Sequence, residues 1–193
     1  MGAWDEDKNE ICYDDKSLWE YVEKLYAMLC RNLTPKVKMH VYTEPTRTVP
    51  DPYIKHSLLD LGVSGPKQGW WYKMQMFNQN HYAGTLLYFD LDVVIVNNID
   101  WIWNRTLQNF WTIKDFKYLW KPSNFTVNSS IMWWNTEQYN YVWQHFTDTK
   151  LENLRRKWRG DQDYITANIT EERRRFFDPA RIQSWRWQTI DGG

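Results

Sequence analysis

The amino-acid sequence predicts an α/β domain with a mixed, mostly parallel sheet flanked by helices. Three observations support this fold class. The chain has 193 residues, the length of one domain with a sizeable core, so a single domain over residues 1–193 is expected. Its opening segments are predicted as strand, helix and strand, the unit of a parallel sheet. Helical and strand-like apolar patterns then alternate over the rest of the chain.

The first three elements follow from short-range patterns. Residues 11–13 are apolar enough for a short strand, and a Ser-x-x-Glu capping box at Ser17 opens a helix. Apolar side chains at helical spacing continue until the helix ends near Asn32. Residues 36–43 alternate polar and apolar side chains, which predicts the next strand.

Residues 45–70 hold most of the prolines, so this part of the chain is expected to form a long connection. Gly160 is expected to end one helix and Asp161 to cap the next. The predicted elements are a helix or edge strand around 53–61, a helical segment over 70–78, a strand over 86–96, a short helix within 97–103, strands over 116–121 and 126–134, and helices over 137–146, 150–158 and 161–168.

The composition excludes several classes of protein. The 24 basic and 24 acidic residues leave no broad positive field for nucleic acid. The longest strongly apolar run, residues 86–96, is too short to span a bilayer. The amino terminus is polar and acidic and does not resemble a secretory signal, so a cytoplasmic location and reduced Cys12 and Cys30 are expected.

Tryptophan is unusually frequent, with 14 among the 193 residues. For any single tryptophan, packing in the core is the favoured interpretation, because indole rings bury a large apolar area. For the set, a few rings are expected to line a groove where they stack on sugar faces.

Asp90 and Asp92 are the most informative pair in the chain. They interrupt the apolar run 86–96, where an ionised carboxylate is costly unless a partner neutralises it. Residues two apart on a strand share a face, so both acids could reach one hard cation that also holds a phosphate. The alternative is that both acids pair with Arg or Lys, or face water.

Four segments follow one another along the chain: Trp70-Trp-Tyr-Lys-Met, Leu87-Tyr-Phe-Asp-Leu-Asp-Val, Asn128-Ser-Ser-Ile-Met-Trp-Trp-Asn135 and Gly160-Asp-Gln-Asp-Tyr-Ile. In this order they resemble the GT-A-fold glycosyltransferases, in particular the family-8-like enzymes and the glycosyltransferase domains of large viruses. The resemblance covers roughly residues 15–185. It implies a GT-A-type domain with a Rossmann-like, nucleotide-binding amino-terminal half and, for a viral chain, glycan synthesis in the host cytoplasm.

The resemblance also implies transfer of a hexosyl or deoxyhexosyl group from a UDP-sugar to a saccharide acceptor. Asp90 and Asp92 match the motif that binds Mn²⁺, or Mg²⁺ in its place, which stabilises the leaving diphosphate. An acid of the last segment, Asp163 above all, would be the general base of an inverting enzyme. In a retaining enzyme, Gln162 or an acid would stabilise the oxocarbenium-like state. The other matched residues are Lys73, Asn128, Ser129 and Ser130 on the donor side, Tyr13 and Thr43 at the nucleotide base, and Asp161 beside the reaction centre.

Two features depart from the family pattern. The first strand is short, and no histidine follows His145, although family-8-like enzymes often supply a late histidine as a third metal ligand. A carbohydrate-binding module with a structural metal is the alternative function. A phosphotransferase or nuclease ranks last, because further acids do not cluster near the pair. The expected partners are a nucleotide sugar and a glycan acceptor, without nucleic acid or a membrane span.

Overall fold

The computed structural model describes the backbone of residues 3–5, 10–12 and 15–18 and the complete residues 19–62 and 69–185. The strands are β1 (Ala3–Asp5), β2 (Glu10–Cys12), β3 (His40–Thr43), β4 (Ile54–Ser57), β5 (Thr85–Phe89), β6 (Phe110–Lys114), β7 (Val127–Asn135) and β8 (Arg174–Phe176). The helices are α1 (Asp15–Asn32), α2 (Asp100–Trp103), α3 (Thr136–Thr147), α4 (Leu151–Lys157) and α5 (Asp161–Asn168), with 3₁₀ helices at Gly69–Phe77, Phe116–Leu119 and Pro179–Arg181. These helices and small mixed sheets confirm the α/β class.

The chain divides into two compact units, which are described separately. Unit 1 contains residues 1–75 and 91–105, and unit 2 contains residues 76–90 and 106–193. The single domain over 1–193 stays a prediction. Within the described ranges, no helix is both long enough and apolar enough to cross a membrane.

In unit 1, helix α1 buries its apolar stripe and anchors a segment that follows β5. Val22 and Leu25 are buried, as the helical spacing predicts. The backbone N–H of Ile95 donates to Met28 Sδ at 3.3 Å, and the Asn32 amide donates to the Ile95 carbonyl at 3.3 Å. These bonds tie the extended chain around Ile95 to the last turns of α1.

The expected parallel strand–helix–strand unit at the amino terminus is wrong for the described residues. Strand β2 pairs antiparallel with β1, whereas β3 pairs parallel with β4. Helix α1 therefore connects strands of two separate two-stranded sheets. The parallel neighbour of β3 is the edge strand that the sequence offered as one alternative around residues 53–61.

Unit 2 contains a four-stranded sheet in the order β5-β7-β6-β8. The pairings β5–β7 and β6–β7 are antiparallel, and only β6–β8 is parallel. The expectation of a mostly parallel sheet is therefore wrong for the described strands of this unit. The parallel exception is β8, which follows three helices, a connection long enough for a strand to return parallel to β6.

Large aromatic rings form much of the core of unit 2. The rings of Phe77 and Trp134 stack with centroids 4.9 Å apart, and Phe110 lies 5.7 Å from Tyr139. These four side chains are buried, and so is Trp133 on the opposite face of β7. For these tryptophans, the core interpretation is confirmed.

The position predicted from the sequence is wrong for one strand of this sheet. Residues 116–121, expected as a strand, form a 3₁₀ helix and a loop, while β6 lies just before them. The Asp115 carboxylate accepts a hydrogen bond from the Lys117 N–H at 3.1 Å, so a local cap replaces strand pairing there. Strand β7 and helices α3, α4 and α5 lie where the patterns predict them.

Two histidines form a hydrogen-bonded pair on the small sheet of unit 1. His40 Nδ1 lies 2.7 Å from His56 Nε2, and the Tyr42 ring stacks on His56 with centroids 4.7 Å apart. Burial, and then the charge of Lys38, lower the pKa of His40 below its ordinary value. The folded chain therefore binds this proton less tightly than the unfolded chain does.

The free energy of unfolding is expected to fall as the pH drops below about 6.5, the ordinary histidine pKa, because the unfolded state then takes up a proton that the folded state resists. His40→Gln should flatten this part of the stability profile, measured by urea unfolding between neutral and mildly acidic pH. His145→Gln, which removes an exposed histidine, should keep the slope. Equal slopes for the wild type and His40→Gln would contradict the assignment.

Candidate active site

Asp90 is the first residue after strand β5, and its surroundings are set by two neighbouring strands. Its backbone N–H donates to the Ser130 carbonyl of β7 at 2.8 Å. Its carboxylate accepts a hydrogen bond from the hydroxyl of Tyr88, two residues earlier. The half-buried carboxylate is therefore oriented by a neighbouring phenol at the end of the sheet.

Asp92 lies outside the strand, contrary to the expected extent of residues 86–96. Strand β5 ends at Phe89, and Leu91 and Asp92 form a turn. The apolar residues that follow are no core strand, since Val94 and Val96 are 71% and 77% exposed. Asp90 and Asp92 therefore do not share a strand face, contrary to the expectation. Asp92 is exposed to solvent, and Asp90 alone lies against the sheet of unit 2.

The Asn-Ser-Ser segment forms a bulge in strand β7. Thr112 of β6 pairs with Met132, but the next residue, Ile113, pairs with Asn128, so residues 129–131 have no counterpart in β6. The Thr112 hydroxyl spans the gap by donating to the carbonyls of Asn128 at 2.8 Å and Ile131 at 3.1 Å. Bulges of this kind occur next to active sites, where they redirect side chains.

Ser129 and Asp161 connect the bulge to helix α5. The Ser129 hydroxyl is fully buried and donates to the Asp161 carboxylate at 2.5 Å, while Asp161 is 5% exposed. The expectation that Asp161 caps the helix is wrong, because Gly160 occupies the cap position and Asp161 is the first helical residue. Its carboxylate is directed into the protein, where a charged hydrogen bond is short and strong.

The other two polar residues of this segment differ in their surroundings. Asp163 accepts hydrogen bonds from Arg159 Nε at 2.8 Å and from Arg159 Nη2 at 3.3 Å, and the pair lies at the surface. The Asp163 carboxylate raises the pKa of the Arg159 guanidinium. Gln162 is half-buried, and its backbone carbonyl accepts from the Thr166 hydroxyl at 2.7 Å.

Three predicted donor contacts belong to unit 1. Lys73 is half-buried on the 3₁₀ helix Gly69–Phe77, and Tyr13 lies outside the described residues. Thr43, buried at the end of β3, donates its hydroxyl to Glu44 at 2.7 Å. This bond is the main cause of a lowered pKa for the Glu44 carboxyl group, which is also close to Arg47.

An open cleft of about 490 Å³ follows strand β3 in unit 1. Two residues that line this cleft, the aromatic Trp19 and the basic Arg47, were not predicted from the sequence. The signal that could have indicated them is position, because ligands of open α/β sheets bind beyond the carboxyl ends of strands. The lining residues are Trp19, Glu44, Thr46, Arg47 and Thr48.

Two further residues of unit 2 were missed. Tyr88 contacts Asp90, and strand alternation could have placed the two on one face. Thr112, which closes the bulge, is a polar residue between the apolar Trp111 and Ile113 of strand β6. A hydroxyl in such a position signals a backbone group that needs a donor.

Metal ligands are sparse in the described part of the chain. There, no three or more His, Cys, Asp and Glu side chains gather in a way that could hold a metal ion.

Comparison of the sequence with models of known protein families gives no match, and comparison with curated proteins gives none either.

Replacing Ser129 with Ala is expected to lower the free energy of unfolding by about 1–3 kcal/mol, because the buried Asp161 carboxylate loses a hydrogen-bond donor. Urea unfolding measures the change. Ser123→Ala, at an exposed position of the loop between β6 and β7, should change stability by less than about 0.5 kcal/mol. Two variants of equal stability would show that the contact contributes nothing.

Proposed function

We propose that the chain is a metal-dependent glycosyltransferase of the GT-A type, which transfers a hexosyl or deoxyhexosyl group from a UDP-sugar to a saccharide acceptor. One observation within unit 2 carries the proposal. Asp90 contacts the Asn-Ser-Ser bulge through Ser130, and the bulge contacts Asp161 through Ser129. These residues come from three of the four segments on which the resemblance rests, and folding joins them despite their distance in sequence.

The donor atoms of the acidic pair suit the proposed cation. Asp90 and Asp92 offer carboxylate oxygens, the ligands that Mn²⁺ and Mg²⁺ prefer, and Asp92 is open to solvent. A bound cation would supply Lewis-acid stabilisation of the diphosphate leaving group. The Tyr88 hydroxyl orients Asp90 for this role by donating to its carboxylate.

The bulge suits recognition of the donor sugar. The Asn128 side-chain carbonyl accepts from the Ser130 N–H at 2.9 Å, which leaves the amide nitrogen oriented to donate to a sugar hydroxyl. Ser129 is committed to Asp161 inside the protein, so its part is to hold the bulge in place. We assign sugar contact to Asn128 and Ser130 and positioning to Ser129 and Asp161.

Asp163 is the proposed acceptor-side acid. Arg159 fixes its carboxylate from one side, and each carboxylate oxygen has a further lone pair. Such an acid can accept the proton of an acceptor hydroxyl while the guanidinium holds its orientation. Gln162, the half-buried neighbour, is the proposed polar contact for the transferred sugar.

We also propose, for unit 1 by itself, that its cleft accepts a nucleoside. Trp19 supplies a ring on which a base can stack, and Thr46 and Thr48 supply hydroxyl groups for a ribose or a base edge. Arg47, held by Glu44 at 3.0 Å, supplies a positive charge on the same wall. The buried Thr43 positions Glu44 from behind.

UDP with Mn²⁺ is expected to raise the melting temperature by about 5–10 °C at a concentration near 100 times its Kd, because a ligand that binds only the folded state stabilises it by mass action. Differential scanning fluorimetry with UDP, with and without Mn²⁺ and chelator, measures the shift. Asp92→Asn should abolish the metal-dependent part while leaving the unliganded protein folded.

Asp148→Asn, at an exposed position of unit 2, is the matched control and should respond like the wild type. An unchanged metal-dependent shift in Asp92→Asn would refute the metal site. Glycan binding with no response to UDP would favour the carbohydrate-binding module instead.

Trp19→Ala is expected to weaken UDP binding about tenfold, because one base–aromatic stacking contact contributes about 1–3 kcal/mol. Titration calorimetry measures the Kd. Trp103→Ala, which removes another partly exposed indole of unit 1, should leave the Kd unchanged. Equal affinities of Trp19→Ala and the wild type would remove the nucleoside from this cleft.

A further inference from the structure

The loop between β6 and β7, residues 115–126, exposes large apolar side chains. Leu119, Trp120 and Phe125 are 43%, 56% and 51% exposed. A soluble surface tolerates scattered apolar residues, but three within one short loop mark a surface that contacts something.

The same loop carries positive charge and has a defined shape. Asp115 is the only acid between residues 110 and 135, against the lysines at 114, 117 and 121. The Lys114 ammonium lies 4.5 Å from the Phe125 ring centroid and donates to the Pro122 carbonyl at 3.3 Å. This cation therefore fixes the second half of the loop, around Pro122 and Phe125, against the end of β6.

Further basic side chains lie at the end of helix α4. Arg155, Arg156 and Lys157 are exposed in its last turn, and Arg159 follows them. The pKa of the Arg159 guanidinium is raised mainly by its hydrogen bond to Asp163, with a smaller contribution from the charge of Asp115. Within the loop itself, the exposed Lys117 and Lys121 lie in sequence among the exposed apolar side chains.

We propose that the β6–β7 loop docks unit 2 onto the surface of an anionic lipid bilayer. Leu119, Trp120 and Phe125 would enter the interfacial layer, where aromatic rings are favoured, and Lys117 and Lys121 would face the headgroups. Each lysine near a negatively charged leaflet adds electrostatic attraction that salt weakens. A glycan fits less well, because the exposed Leu119 offers nothing to sugar hydroxyls and the exposed charges are cationic.

Co-sedimentation with vesicles tests this inference. The full chain should bind mixed phosphatidylcholine–phosphatidylserine vesicles, bind pure phosphatidylcholine vesicles much more weakly, and dissociate as salt increases. Lys117→Gln combined with Lys121→Gln should weaken binding roughly tenfold or more. Trp120→Ala should also weaken it severalfold, because the indole leaves the interface.

Matched controls separate the loop from general charge and hydrophobicity. Lys36→Gln with Lys38→Gln, and separately Trp103→Ala, remove exposed lysines and an indole elsewhere and should bind like the wild type. Thermal melting checks that each variant folds. Absence of binding to phosphatidylserine vesicles, or equal losses in the loop and control variants, would overturn the proposal. So would Trp120-dependent binding of soluble oligosaccharides in place of vesicles.

Discussion

A buried carboxylate needs a hydrogen-bond donor, and in unit 2 that need joins helix α5 to strand β7. The Ser129 hydroxyl meets Asp161 inside the protein, where an uncompensated charge would be very costly. Ser129 can reach that position because β7 bulges, and the bulge holds because Thr112 satisfies two of its carbonyls. The candidate sugar-binding segment therefore depends on a polar contact that itself lies within the core.

The same bulge determines the position of Asp90. The Ser130 carbonyl accepts the backbone N–H of Asp90, so the end of β5 is fixed by the irregular part of β7. The phenol of Tyr88 then directs the carboxylate. In this way one irregularity in the central strand positions the first acid of the motif, the polar segment beside it and the start of α5.

Local patterns were sufficient for part of this architecture. Helices α3, α4 and α5 and strand β7 follow from apolar spacing and from β-branched or aromatic content, which are properties of neighbouring residues. Strand pairing is different, because the direction of β7 relative to β5 depends on residues far apart in sequence. The end of β5 at Phe89 could not be predicted either, since residues 93–96 have the composition of a strand although Val94 and Val96 are exposed.

In the candidate site, too, the residue types could be predicted from the sequence but most of the contacts between them could not. Residue types indicated Asp90, Asn128 and Asp161, but no pattern in the sequence tells that the Asp161 side chain is directed toward Ser129 and away from the helix cap. The ion pair of Asp163 was easier to predict from the sequence, since its partner Arg159 lies only four residues earlier. Trp19 and Arg47 stayed unnoticed because a cleft is formed by residues that have no common spacing.

The adjacent tryptophans of β7 have a consequence for folding fidelity. Trp133 and Trp134 point to opposite faces of the strand and are both buried, so each face of β7 packs a large indole in the native alignment. A slip of one position would exchange the two faces and part Ser129 from its acid. Misaligned pairings of this strand are therefore penalised twice, by packing and by charge, which leaves the native alignment without a close competitor.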